Sequence, residues 1–306
     1  MSPPCVIAIF GPTGVGKTAV AVALAGLLRA AGEDPVAVSA DALQVYRGLE
    51  LLTGAPTSAQ LSALDHRLVS VVPVTERFSV AEYAELAHTE IDALLAGGRR
   101  PLVVGGTGLY LRAALTELDL LPPPAPGARE RWQRELDRLG APALHARLAR
   151  SASWAAARID PNDRQRLVRA LELHDAGELR RREDESQLWT DNTRRPTLLV
   201  GLTLPRDQLY ERVERRVGEI VAAGAAAEVA AAAAAGASQT ARKALGFEQL
   251  LDGDVGAMRS GTRRFAKRQL TWMRKLAGVH VIDIAGKAPE ETAGRIAALA
   301  REGQGH

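Results

Sequence analysis

The chain has 306 residues, of which 46% are hydrophobic and 25% charged, and its formal net charge is +3. This length is enough for one large domain or two smaller ones, each with a buried core. The single cysteine, Cys5, excludes an intrachain disulfide and a cysteine-based zinc site within one chain.

Membrane and secretory signals are absent from the sequence pattern. The first apolar run is short and leads directly into a glycine-rich motif, which is not typical of a signal peptide. No apolar stretch approaches the ~18 residues that a membrane span needs. We therefore expect a cytoplasmic protein that does not enter a membrane.

The first predicted elements surround a P-loop motif. Residues 6–10 form an apolar, strand-like run, and residues 19–31 are helix-forming and are followed by Gly32. Between a strand and a helix, backbone N–H groups and the positive helix end converge on one anion. A lysine adds positive charge, and a threonine hydroxyl can ligate Mg²⁺. The motif predicts a diphosphate or triphosphate site formed by Gly11, Thr13, Gly14, Val15, Gly16, Lys17 and Thr18.

The next elements alternate between strands and helices. Residues 35–41 read as a strand ending at Asp41, residues 79–96 as a helix with Ser79 as N-cap, and residues 101–108 as a strand entering a glycine turn. This alternation predicts a P-loop NTPase-like α/β fold with a parallel sheet flanked by helices. Because ligands lie beyond the C-terminal ends of parallel strands, Thr18, Asp41 and Thr107 should face one crevice.

The second half of the chain predicts an insertion into this core. Residues 120–127 form a proline-rich linker, residues 128–182 are helical and rich in arginine, and residues 183–196 are polar. A strand over 197–204, an alanine-rich helix over 222–235, a strand over 279–284 and a terminal helix then return to the core pattern. We predict a core of residues 1–121 and 196–306, with an all-helical insertion domain over 122–195.

The strand over residues 101–104 is followed by glycine and threonine rather than by an acid. Phosphoryl-transfer enzymes commonly place an acid there to help hold Mg²⁺, so an ATPase or GTPase motor is disfavoured. Asp41 ends a different strand. It could hold Mg²⁺ through water, accept a proton from a nucleophile, or serve as a turn or N-cap residue.

Positive charge is concentrated in the later part of the chain. Residues 1–120 hold 8 Lys/Arg and 12 Asp/Glu, whereas residues 121–306 hold 31 and 24. Residues 259–275 contain seven cations and no acid, which favours contact with an RNA backbone over a merely solvated basic face. A second cluster over 163–169 could bind RNA through Gln165 and Arg169 or form a surface salt-bridge network.

Seven segments resemble one family, the tRNA dimethylallyltransferases, also called isopentenyltransferases. A P-loop alone is shared by many functions, but the ordered set over nearly the whole chain is specific. The segments are 11–18 (GPTGVGKT), 39–48 (SADALQVYRG), 78–83 (FSVAEY), 105–110 (GGTGLY), 162–172 (NDRQRLVRALE), 244–247 (ALGF) and 262–272 (TRRFAKRQLTW).

The resemblance implies a prenyl transfer to RNA. The P-loop would hold dimethylallyl diphosphate with Mg²⁺ near Thr18, and the prenyl group would pass to N6 of the adenine 3′ of the anticodon. Asp41 matches the acid that accepts the N6 proton, and Thr107 matches a threonine beside the reacting centre. The positions implied to contact the tRNA anticodon stem-loop are Asp41, Ala42, Leu43, Gln44, Thr107, Arg129, Gln165, Arg166, Leu167, Val168 and Arg169. No protein partner is implied, and we expect a monomer.

Other basic residues are candidates for contact with the same substrates. Arg212 and Arg216 lie four residues apart on a predicted helix, where they could stabilise a diphosphate leaving group or pair with Glu211 or Glu219. Arg263, Lys267 and Arg268 are the candidates for RNA contact within residues 259–275.

This chain departs from the family pattern in three places. Ala55 stands where the family has a lysine, so any contact made by that lysine is missing here. His66-Arg67 replaces a His-His pair, and Leu245-Gly246-Phe247 replaces Ile-Gly-Tyr.

Two other functions remain possible from the residues alone. A small-molecule kinase would use Asp41 as the base toward a hydroxyl group, and a nucleotide-regulated RNA-binding protein would carry out no chemistry. Free AMP could also replace tRNA as prenyl acceptor, although the basic insertion argues against it.

Overall fold

The structure is a computed structural model that describes residues 6–120, 125–181 and 187–302. It contains two compact units: a core unit, Met1–Leu118 with Gln187–His306, and an insertion, Asp119–Ser186. The middle of the predicted proline linker, residues 121–124, lies outside the described residues.

The core unit begins with β1 (Val6–Phe10), α1 (Lys17–Ala30), β2 (Pro35–Ser39), β3 (Tyr46–Arg47), α2 (Glu50–Thr53), α3 (Ser58–Ala63), β4 (His66–Arg67), β5 (Val72–Pro73), α4 (Val80–Ala96), β6 (Arg100–Gly105) and α5 (Gly108–Leu115). The insertion holds α6 (Ala128–Leu139), α7 (Ala141–Ser151), α8 (Ser153–Ala156) and α9 (Arg164–Asp175). The core resumes with β7 (Thr197–Thr203), α10 (Arg206–Ala222), α11 (Ala225–Ala234), α12 (Phe247–Leu251), α13 (Val255–Met273), β8 (His280–Asp283) and α14 (Pro289–Glu302).

The main sheet has six parallel strands in the order β4-β2-β6-β1-β7-β8. Its central strands are continuous apolar runs because both of their faces are covered by helices. In register, Phe10 pairs with Gly105 and Ser39 pairs with Val104. The segments that follow β1, β2 and β6 therefore leave the sheet side by side at its C-terminal edge.

The predicted fold class is confirmed, and several predicted elements end within two or three residues of the observed ones. Ser79 and Glu82 form a capping box at the start of α4, as the N-cap prediction implies. The predicted strand over 35–41 ends earlier, at Ser39, so Asp41 lies in the following turn. The predicted alanine-rich helix is divided at Gly224, whose φ of +97° ends one helix before α11 begins.

Residues 187–195 belong to the core unit, although we placed them in the insertion. Their hydrogen bonds and ring contacts explain the difference. Trp189 packs against Trp272 with ring centroids 4.7 Å apart, and Arg194 forms an ion pair with Asp92. The Arg194 N–H also donates to the Leu115 carbonyl. Asp92, Leu115 and Trp272 all lie far from residues 187–195 in the sequence, so the polar composition of that segment did not predict these contacts.

The insertion has its own apolar core. Its four helices bury Trp132, Leu136, Leu144, Leu148 and Leu171 against one another, together with Leu167 and Val168. Within its described residues it contains helices and no strands, which agrees with the predicted all-helical composition.

Among the helices of the described residues, none is by itself long and apolar enough to cross a membrane. Only α10 and α11 taken together meet the length and composition criteria, and they are bent by 63° at the break between them.

Candidate active site

The glycine loop after β1 wraps the start of α1. Gly14 and Gly16 have φ values of +80° and +99°, which residues other than glycine adopt only with strain. A Cβ atom on Gly14 would also lie 3.3 Å from the Val213 side chain. The backbone N–H groups of the first turn of α1 have no intrahelical partner, so they can receive an anion together with the helix dipole.

Lys17 is held inside this loop. Its Nζ donates to the Gly11 carbonyl at 3.0 Å and to the Pro12 carbonyl at 3.1 Å. The pKa of Lys17 is lowered to about 8, mainly by burial; the Asp41 carboxylate opposes this shift, and the Arg216 charge adds a smaller lowering. The loop therefore holds a cation whose protonation changes near neutral pH.

This pKa predicts a pH-dependent affinity for inorganic pyrophosphate. A bound anion favours protonated Lys17, so the affinity that Lys17 contributes is complete below pH 8. It falls by up to about tenfold per pH unit as the pH rises from 8 toward the higher pKa of the complex. The Kd for pyrophosphate is measured at each pH for Lys17→Met and for the unmodified protein, and the ratio of the two values is followed. The ionisation of pyrophosphate itself affects both Kd values and therefore cancels in the ratio. A ratio that stays constant from pH 7 to 9.5 would contradict the prediction.

Asp41 and Thr107 follow the neighbouring strands β2 and β6, but only Asp41 lines the cleft at this edge of the sheet; Thr107, predicted to face the same crevice, is not among the lining residues. Asp41 Oδ1 accepts the Leu43 N–H at 3.0 Å, which is the turn role that we considered for it. Within the described residues, Oδ2 accepts no hydrogen bond and remains available for a proton. Thr107 precedes α5 as its N-cap residue, but its side chain makes no capping hydrogen bond.

A cleft of about 370 Å³ opens at this edge of the sheet. Most of the predicted P-loop positions line it, as do the turn after β2 and part of α10. Six polar or charged side chains at predicted site positions line it: Thr13, Lys17, Thr18, Asp41, Gln44 and Arg216. Ala55, the position of the family lysine, also lines the cleft and leaves it without a charge there.

Arg216 and Gln44 both donate hydrogen bonds to the Gly54 carbonyl in the wall of the cleft. The Gln44 amide donates to the Gly54 carbonyl at 3.1 Å, and Arg216 Nη2 donates to the Thr53 and Gly54 carbonyls at 3.3 and 3.5 Å. A Cβ atom on Gly54 would collide with the Arg216 guanidinium. Burial lowers the Arg216 pKa, and the Asp41 carboxylate counteracts this shift.

The structure separates the two arginines that we paired as diphosphate ligands. Arg212 does not line the cleft, and its Nη1 donates to the Val15 carbonyl at 3.3 Å. It therefore supports the glycine loop from outside, while Arg216, one turn later, lies inside the cleft. Neither arginine pairs with Glu211 or Glu219 among the described ion pairs; Glu219 pairs with Arg215 instead.

The basic stretch over 259–275 has a counter-charge that its sequence does not reveal. Glu214 of α10 pairs with Arg259 at 3.3 Å and with Arg263. Arg263 is thus paired with a carboxylate of α10, which makes it a weaker candidate for contact with RNA. Lys267 and Arg268 are exposed on α13, and Arg268 lies over the Phe265 ring at 5.6 Å.

Gln269 is a cleft residue that sequence reasoning missed. It lies within the quoted segment 262–272, but neither charge nor spacing distinguished it. Only 4% of its surface is exposed, and its amide bonds to both the glycine loop and the turn after β6.

The insertion contains a second group of predicted site residues. Glu172 is fully buried and accepts Arg129 Nε and Nη2 at 2.7 and 3.1 Å, and Arg169 Nη1 at 3.2 Å. Gln165 and Arg166 are exposed. Leu167 and Val168 are buried in the core of the insertion, so their side chains cannot contact tRNA as predicted.

Removing the Glu172 carboxylate should weaken the insertion. Glu172→Ala leaves two guanidinium groups without their shared acceptor, and we expect the free energy of unfolding to fall by about 1–3 kcal/mol. Urea denaturation measures this loss. Glu135→Ala removes the exposed Glu135–Arg138 pair as a control, and it should cause no measurable change. Equal losses in both variants would show that the buried carboxylate has no special contribution.

Comparison with known proteins identifies the family. A family model described as IPP transferase matches residues 44–276. The chain belongs to the IPP transferase family. It is similar to a tRNA dimethylallyltransferase from Kineococcus radiotolerans, with 41% identity over 96% of this chain and 95% of the relative. A second tRNA dimethylallyltransferase, from Thermobifida fusca, is 41% identical over 90% of this chain and 88% of the relative.

A solved structure shows the same fold as this member of the IPP transferase family. It is the full-length tRNA isopentenylpyrophosphate transferase from Bacillus halodurans, with a TM-score of 0.69, 31% identity and coverage of 98% of each chain. The predicted family and the prediction of a prenyltransferase enzyme are confirmed.

Proposed function

We propose that this chain transfers a dimethylallyl group from dimethylallyl diphosphate to N6 of the adenine 3′ of the anticodon in tRNA, and releases diphosphate. The supporting observation is that one cleft holds a glycine loop suited to anions, a half-buried arginine and a carboxylate with a free oxygen. The membership of the IPP transferase family supports the same reaction.

The proposed donor end of the cleft is the glycine loop. When the allylic C–O bond breaks, the electron pair leaves with the diphosphate, and negative charge develops on its oxygens. Lys17, Arg216 and the N–H groups at the start of α1 are positioned before the reaction to stabilise that charge. Because the chemistry occurs at carbon, no acid is needed after β6 to assist phosphoryl transfer.

The proposed acceptor end is the edge formed by Asp41 and Thr107. The adenine N6 attacks the allylic carbon, a C–N bond forms, and N6 loses one proton to Asp41 Oδ2. The hydrogen bond from the Leu43 N–H holds Oδ1, which leaves Oδ2 to take up the proton. The Thr107 hydroxyl makes no capping hydrogen bond, and its proposed contact with the substrate would lie beyond the residues that line the cleft.

We propose Mg²⁺ as the cofactor, bound beside Thr18. In the part of the chain that the structure describes, no group of three His, Cys, Asp or Glu side chains could hold a metal. With the Thr18 hydroxyl as the proposed protein ligand, the site would fit a Mg²⁺ ion whose other ligands are diphosphate oxygens and water. Bound Mg²⁺ neutralises part of the charge on the leaving group.

The proposed tRNA contacts are half-buried or exposed residues in each of the two units. In the core, Ala42, Leu43 and Gln44 lie beside Asp41, and Lys267 and Arg268 are exposed on α13. In the insertion, the candidates are Arg129, Gln165, Arg166 and Arg169. Phosphate contacts by such residues should make tRNA binding weaken as salt concentration rises.

The proposal is tested by weighing the RNA product. Purified protein is mixed with Mg²⁺, dimethylallyl diphosphate and an anticodon stem-loop RNA that carries either A or G immediately 3′ of the anticodon. Only the RNA with A should gain one five-carbon unit. Transfer to free AMP, or ATP-dependent phosphorylation of a small molecule without use of the prenyl donor, would contradict the proposed function.

A further inference from the structure

Gln269 connects the two ends of the cleft through one amide group. Its Oε1 accepts the Thr13 N–H of the glycine loop at 2.8 Å, and its Nε2 donates to the Gly106 carbonyl at 2.8 Å. Gly106 immediately precedes Thr107. One buried side chain from α13 thus joins the loop proposed to bind the donor to the turn proposed to face the acceptor.

The surrounding atoms leave little freedom at this junction. A Cβ atom on Gly106 would collide with Gln269 Nε2 and would lie 2.9 Å from the Gly11 carbonyl and 3.2 Å from Lys17 Nζ. Lys17 Nζ itself donates to the Gly11 carbonyl. The glycine loop and the turn after β6 therefore lie close together beyond the paired strands β1 and β6, and Gln269 bridges their backbones.

We propose that Gln269 is a positioning residue that sets the distance between the allylic diphosphate and the acceptor base. This inference rests on the proposed function. Rates of bond formation depend steeply on alignment, and a displacement of about 1 Å can cost on the order of 100-fold in rate. The donor would still bind without Gln269, because the glycine loop, Lys17 and Arg216 remain.

The test uses two substitutions with different chemistry. Gln269→Leu removes both hydrogen bonds, and we expect kcat to fall about 10- to 100-fold while the Kd for inorganic pyrophosphate changes less than about threefold. Gln269→Glu keeps an acceptor for the Thr13 N–H but, when ionised, cannot donate to the Gly106 carbonyl. When protonated, the carboxyl group can make both bonds and replaces the amide closely.

The Gln269→Glu variant therefore has a distinctive pH profile. Burial raises the pKa of a carboxyl group, whereas the nearby Lys17 ammonium lowers it. Because only 4% of the residue is exposed, we expect burial to outweigh Lys17 and the side chain to become protonated within the measurable range. We expect the ratio of variant kcat to unmodified kcat to rise toward one as the pH falls, following a single ionisation. The same ratio for Gln269→Leu should remain low and independent of pH.

Gln249→Glu is the matched control. Gln249 accepts the Gly246 N–H at 3.2 Å, a bond that a carboxylate also makes, so its kcat should match the unmodified protein at every pH. Thermal unfolding of all variants separates loss of folding from loss of alignment.

Two results would overturn the assignment while leaving the proposed function in place. They are a kcat within twofold of the unmodified protein in both Gln269 variants, and a Gln269→Glu defect that does not change with pH. If the unmodified protein forms no prenylated RNA, the proposed function and this assignment both fail.

Discussion

Asp41→Asn is expected to lower kcat by about 10²- to 10⁴-fold while leaving the Kd for tRNA nearly unchanged. The asparagine Oδ1 can still accept the Leu43 N–H, so the turn after β2 should keep its shape. The amide cannot take up the proton that N6 releases. Single-turnover kinetics at saturating donor and RNA, together with a binding titration, measure the two quantities separately.

Asp34→Asn is the matched control for this substitution. Asp34 directly precedes β2, at the opposite end of the strand from Asp41, and it pairs with Arg99 on the surface. Its kcat should remain within about twofold of the unmodified value, as expected for a surface substitution. An unchanged kcat in Asp41→Asn would reject the proton-acceptor role. A large loss of tRNA affinity would instead assign Asp41 to binding.

Arg216→Ala should cause the second largest loss, about 10²- to 10³-fold in kcat. The guanidinium lies partly buried in the cleft and is fixed by the Thr53 and Gly54 carbonyls, so it is aligned before the diphosphate leaves. Arg216→Lys keeps the positive charge but loses the planar group with its several donors, and it should recover only part of the rate.

Arg215→Ala provides the control on the same helix. Arg215 is exposed and pairs with Glu219 at 3.5 Å, so its removal should leave kcat within about twofold. Arg212→Ala distinguishes the neighbouring role, because Arg212 does not line the cleft and donates to the Val15 carbonyl of the loop. A loss with Arg212→Ala that equals the loss with Arg216→Ala would contradict the separation of their roles.

The candidate site was predictable where its residues follow strand ends in local motifs. The glycine loop is recognised from eight consecutive residues, and Asp41 was placed beside it because parallel strands end at one edge. The same argument placed Thr107 there, but Thr107 does not line the cleft. A matching segment does not show which of its residues face inward, so the prediction of tRNA contacts by Leu167 and Val168 could not take the burial of their side chains into account. The helix of the insertion buries those two and leaves Gln165 and Arg166 exposed.

The sequence alone determined the fold class, the phosphate loop and the family, because those depend on local propensity, turn chemistry and ordered motifs. The tertiary structure decided which charges are paired and which side chains meet. Glu214 neutralises part of the basic stretch, Glu172 holds two arginines, and Gln269 reaches Thr13 across 256 positions of the chain. Such contacts arise only when distant elements pack together, so no local pattern records them.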